Sequence, residues 1–86
     1  MGYEYEERTI SMNEELIALA ATTLRVSEET AKKYNKPVPE INGWYFWNPV
    51  RGGFSVLINA NGEKLAASSA VTYRKLLDAF ISGKRN

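Results

Sequence analysis

Phe54-Ser55-Val56-Leu57-Ile58-Asn59-Ala60-Asn61-Gly62-Glu63-Lys64-Leu65-Ala66-Ala67-Ser68 is the stretch on which the fold turns. Two strand-like runs, Phe54 to Ala60 and Glu63 to Ser68, flank Asn61-Gly62, the dipeptide best suited to a two-residue type I′ turn. That turn predicts a register in which Ile58 faces Leu65 and Val56 faces Ala67. Phe54, Val56, Ile58, Leu65 and Ala67 then share one buried face, and Asn59 and Lys64 turn towards water.

Upstream of the hairpin, Trp44 to Asn48 reads as a strand ended by Pro49, and Arg51-Gly52-Gly53 supplies a turn back into Phe54. The result is a three-stranded antiparallel meander. Gly43 to Phe54 also holds both tryptophans and five of the ten aromatic residues. Consecutive rings at Trp44, Tyr45, Phe46 and Trp47 fall on both faces of a strand, because side chains alternate at period two. Two readings follow. Either the rings enter the core and lie under neighbouring segments, or one pair, Trp44 with Phe46 or Tyr45 with Trp47, stays partly exposed as a contact platform beside Arg51.

Helices bracket the meander. Ser11-Met12-Asn13-Glu14 has capping-box spacing, so a helix is expected from Met12 to about Arg25, with a stripe of Leu16, Leu19, Ala20, Thr23 and Leu24. Ser27 caps a second short helix ending near Asn35, and Lys36-Pro37-Val38-Pro39-Glu40 cannot continue it. Tyr73, Leu76, Leu77, Phe80 and Ile81 form the apolar face of a last helix, capped by Thr72 and stopped at Gly83. Residues 1–10 alternate well enough for an edge strand and are charged enough for a disordered arm. The reading is therefore one α+β domain over residues 1–86, with two amino-terminal helices, the meander, and a carboxyl-terminal helix packed on one sheet face.

Composition narrows the function. With no histidine and no cysteine, the usual neutral-pH base, the thiol nucleophile and zinc ligation are missing. The amino-terminal carboxylates Glu4, Glu6, Glu7, Glu14 and Glu15 sit where solvated acids are expected, and the serines lack an activating base other than lysine. The expectation is a protein that is not an enzyme and has no cofactor, no metal and no catalytic residue. Its apolar runs fall far short of the ~18 residues that span a bilayer, and its amino terminus is acidic, unlike a secretory signal. A cytoplasmic location is expected, with no membrane partner.

The formal net charge is +1, with an acidic start and a basic end carrying Arg74, Lys75, Lys84 and Arg85 against Asp78. So small a net charge is poor support for a nucleic-acid groove. The platform reading assigns Trp44, Tyr45, Phe46, Trp47 and Arg51 to binding a protein partner or a second copy.

Residues 15–34 offer an alternative. Ala21, Leu24, Val26, Ser27, Thr30 and Ala31 are spaced as a small residue, an apolar residue, a turn pair and the start of a second helix. In this the segment resembles the helix-turn-helix of bacterial DNA-binding repressors, with Arg25 standing where that family commonly has glycine. The resemblance implies a winged-helix-like DNA-binding protein, in which Ser27, Glu29, Thr30, Lys32 and Lys33 lie on or near the recognition helix and the Asn61-Gly62 hairpin serves as a wing.

Overall fold

The computed structural model describes residues 14–50, 53–68 and 70–86. Helices α1 (Glu14–Leu24) and α2 (Glu28–Lys33) lead into strands β1 (Asn35–Val38), β2 (Gly43–Trp47), β3 (Phe54–Asn59) and β4 (Lys64–Ser68), and helix α3 (Tyr73–Ile81) ends the fold. The strands form one antiparallel sheet in the order β1-β2-β3-β4. The domain is α+β as expected, but the meander has four strands rather than three. The expected start of α1 at Met12, the Ser11 capping box and the residue 1–10 segment lie outside the described residues.

The additional strand, β1, comes from the proline-bearing linker. Pro37 lacks an N–H, so it is tolerated only on an edge, which is where β1 lies. Proline also biases the residue before it towards extended geometry, which favours the strand conformation at Lys36. Asn35 finishes α2 by donating its side-chain amide to the carbonyls of Ala31 and Lys32, at 2.9 and 2.8 Å. The Trp47 N–H then reaches the Tyr34 carbonyl at 3.2 Å, extending the β1–β2 pairing.

The hairpin register is also corrected. Leu57 faces Leu65, Val56 faces Ala66 and Ile58 faces Lys64, one residue away from the two-residue-turn register. The loop has three residues. Gly62 takes a left-handed φ of 87° and donates to the Asn59 carbonyl at 2.9 Å, whereas Asn61 does not adopt the positive φ that a type I′ turn demands. The Asn59 side chain selects this geometry. Its Oδ1 accepts from the N–H groups of Asn61 (3.0 Å) and Glu63 (2.9 Å), and its Nδ2 donates to Glu63 Oε1 at 2.7 Å. Asn59 is therefore buried rather than solvated, and Lys64 is half-buried with its Nζ on the Asn86 carbonyl at 3.0 Å.

Because strand side chains alternate, the one-residue difference redistributes the core. Trp44, Phe46, Val56 and Ile58 pack against Leu16, Ile17, Ala20, Ala21 and Leu24 of α1 and Ala31 of α2. Val38, Leu57 and Leu65 pack on the other side against Leu76, Leu77 and Phe80 of α3. The sheet is thus covered on both faces, and the five residues expected on a single face are divided between the two. Full burial of each of Phe46, Val56, Leu57 and Ile58 contributes about 1.5–3 kcal/mol. The stripe of α1 is rotated to include Ile17 and Ala21, and Ile81 of α3 is exposed.

The helix ends largely follow the local expectations. Ser27 accepts from Thr30 N and Thr72 from Lys75 N, at 3.1 and 3.2 Å. Gly83, at φ 105°, closes α3 with bonds from Gly83 N to Phe80 O and Lys84 N to Ala79 O. The same motif closes α1 with Arg25 in the left-handed position, φ 60°. Arg85 lies across the Phe80 ring at 3.6 Å and reaches Glu63 Oε1 at 3.5 Å. Asn86 bonds to β4 through its backbone N–H on Lys64 O and its side-chain amide on Ala66 N and O.

Two outcomes test this construction. A Cβ on Gly43 would collide with the Ile58 carbonyl and the Asn59 Cα, so Gly43→Ala should cost about 2–3 kcal/mol in urea unfolding. The Asn59 hydrogen bond, and secondarily the Arg85 charge, hold the Glu63 carboxyl below its ordinary range. A carboxylate shifted down stabilises the fold above its unfolded pKa, and that stabilisation is lost as pH falls through the folded value. Unfolding measured from neutral pH into acid should show a smaller decline in Glu63→Gln than in wild type.

Candidate functional site

Helix α3 packs against β4 and β3 and leaves the β1–β2 side of its sheet face less covered. Residues of odd number on β2 project there. Tyr45 and Trp47 are half-buried, whereas Trp44 and Phe46, on the opposite face, are 7% and 0% exposed and belong to the core under α1. Of the two ring pairs considered from sequence, Tyr45 with Trp47 is the accessible one. Arg51 lies outside the described residues.

Register and helix entry add two further side chains. Lys36 pairs with Tyr45 across β1–β2, which places both on the same face. The capped start of α3 sets Tyr73 edge-on against Tyr45, with centroids 4.7 Å apart. Tyr45 is stacked on Trp47 at 5.6 Å, and Tyr34 meets the far side of the group through an edge contact with Trp47 at 6.1 Å. The Lys36 ammonium sits 4.0 Å from the Tyr73 ring centroid and 5.8 Å from that of Tyr45, within cation–π range of both.

Lys36, Tyr45, Trp47 and Tyr73 line an open cleft of about 440 Å³, bordered by the exposed side chains of Val50 and Phe54. Its floor includes Ser55, which faces Trp47 from β3 and is 5% exposed. Burial, and then the negative charge of Glu40, hold the Tyr73 phenol above its ordinary range. Lys36 is the one charged side chain among the described lining residues. No described residue accepts a hydrogen bond from Lys36 Nζ, Ser55 Oγ, the hydroxyls of Tyr45 and Tyr73, or the Trp47 indole N–H.

The sequence reading located the aromatic strand but not Lys36, Ser55 or Tyr73. Those three come from other elements, and only the observed register and the entry of α3 bring them to Tyr45. The helix-turn-helix candidates lie elsewhere. Ser27 caps α2 and bonds Thr30 Oγ1 at 2.9 Å, while Lys32 and Lys33 are exposed in the last turn of that helix. Among the described residues no group of histidine, cysteine and carboxylate side chains is arranged to hold a metal, and no helix is long and apolar enough to cross a membrane. No protein-family model, curated protein or solved structure matches the chain.

The burial difference between the tryptophans is directly measurable. In single-tryptophan variants, acrylamide should quench Trp47 at least about twofold more efficiently than Trp44, which lies under α1. Equal quenching would contradict the face assignment.

Proposed function

We propose that this chain is a small non-enzymatic interaction protein that holds a protein partner, or a second copy of itself, on the surface centred on Tyr45 and Trp47. The observation behind this reading is the open aromatic cleft, in which stacked rings remain accessible beside hydrogen-bonding groups with no described partner. Aromatic side chains lose few rotamers on contact and bring large apolar area, so they dominate binding energy where they meet a partner. Trp44 and Phe46 support this surface from beneath as core residues rather than as contacts.

A second reading, duplex DNA binding through Ser27, Thr30, Lys32 and Lys33, is favoured by the adjacent exposure of the two lysines. It requires affinity that falls steeply with salt and disappears when both lysines are replaced by alanine.

Peptides selected from a displayed random library on the wild-type protein should lose at least tenfold in affinity on Trp47→Ala and keep it when Lys32 and Lys33 are replaced. Circular dichroism establishes that each variant is folded. If no selected peptide distinguishes wild type from Trp47→Ala, and the protein sediments as a monomer at high concentration, the interaction reading is wrong.

A further inference from the structure

The cleft's unpaired hydrogen-bonding groups lean towards donation: two can only donate, the three hydroxyls can donate or accept, and none is an acceptor alone. Lys36 carries ammonium protons, Trp47 an indole N–H, and Tyr45, Tyr73 and Ser55 hydroxyls, none of them bonded to another described residue. Ser55 lies on the cleft floor, and although the residue is only 5% exposed its hydroxyl oxygen opens to the cleft and is free to bond a ligand. No carboxylate lines the cleft among the described residues, and Lys36 is its charged lining side chain, with Glu40 and Arg74 acting on the Tyr73 phenol from outside the lining. Such a surface complements a ligand that offers acceptors, few donors and a negative charge.

An extended segment rich in proline meets that description. Proline has a carbonyl but no N–H, and in the polyproline II conformation the carbonyls make no internal hydrogen bonds. Its pyrrolidine rings are flat and apolar and pack on aromatic faces, and its preset backbone limits the entropy lost on binding. The geometry fits. Tyr45 meets both Trp47 and Tyr73, at 5.6 and 4.7 Å, which keeps the three rings within reach of one ~9 Å turn of such a helix.

We propose that the Lys36, Tyr45, Trp47, Ser55 and Tyr73 cleft docks a proline-rich extended segment of a partner protein, with an acidic residue of that segment on Lys36. The proposal rests on the protein-binding reading and specifies its partner. Prolyl rings lie against Trp47 and Tyr45, the segment's carbonyls take up the indole, phenol and Ser55 protons, and the acid pairs with the ammonium that otherwise rests over Tyr73.

The test uses a blocked proline-rich peptide with one central glutamate, a matched peptide with glutamine there, and a third with glycine at every proline. Amide chemical-shift titration of the full chain supplies both affinity and location. The glutamate peptide should perturb Lys36, Tyr45, Trp47, Ser55 and Tyr73. Lys36→Met should weaken it about fivefold while leaving the glutamine peptide unchanged. Ser55→Ala and Tyr73→Phe, which remove only a hydroxyl, should each weaken both proline peptides about threefold. Binding of the glycine peptide equal to that of the proline peptides, or shifts confined to the α1 face, would overturn the proposal. If proline-free peptides or a second copy occupy the cleft instead, the proline assignment fails while the protein-binding reading stands. If the cleft binds no peptide and no second copy, both fail. Tighter binding of single-stranded oligothymidine than of any peptide, at the same rings, would also overturn it.

Discussion

The side chain of Asn59 sets the geometry on which the rest of the domain depends. By accepting from Asn61 and Glu63 and donating to the Glu63 carboxylate, it holds the β3–β4 connection in a three-residue form. A two-residue connection would shift β4 by one position and reverse which of its side chains face each helix. With the observed register, Leu65 joins Leu57 beneath α3 while Ala66 joins Val56 beneath the amino-terminal helices. One buried amide thus decides how apolar residues are distributed over both faces of the sheet.

Two-sided burial suits a chain this short. A small domain removes a modest fraction of its surface from water, and a central strand buried on both faces is an efficient way to do so. Every residue from Ser55 to Asn59 is buried. The helical layers, however, are unequal. α1 and α2 lie over the β2 and β3 side chains of their face, whereas nine-residue α3 is centred on the opposite end of the other face. The cleft is what the shorter cover leaves open, and it coincides with the most aromatic strand in the chain.

Much of this was legible where the interaction is local. Ser27, Thr72 and Gly83 act within a few residues of themselves, so spacing alone identified two caps and a stop. The strand Asn35–Val38 was not legible because its prolines are as compatible with a linker as with an edge, and only pairing with β2 decides between them. The hairpin register depended on whether Asn59 or Asn61 controls the turn, which is a question about which side chain is buried. A signal for double coverage was present in Val56-Leu57-Ile58, since an unbroken apolar run has no polar face to present to water. The aromatic segment announced a candidate surface, but which pair of rings it exposes follows from sheet parity, and its companions Lys36 and Tyr73 are distant in sequence.

Asn86 has an effect beyond its own position. Its backbone N–H and side-chain amide take the places that a neighbouring strand would occupy alongside Lys64 and Ala66. The β4 margin therefore has part of its ladder already satisfied by a single residue, and an incoming strand would have to displace these three hydrogen bonds to pair along Lys64 and Ala66. Stacking of domains through this margin, the first step towards fibrillar assembly of an exposed sheet, is opposed by an asparagine standing in for a strand.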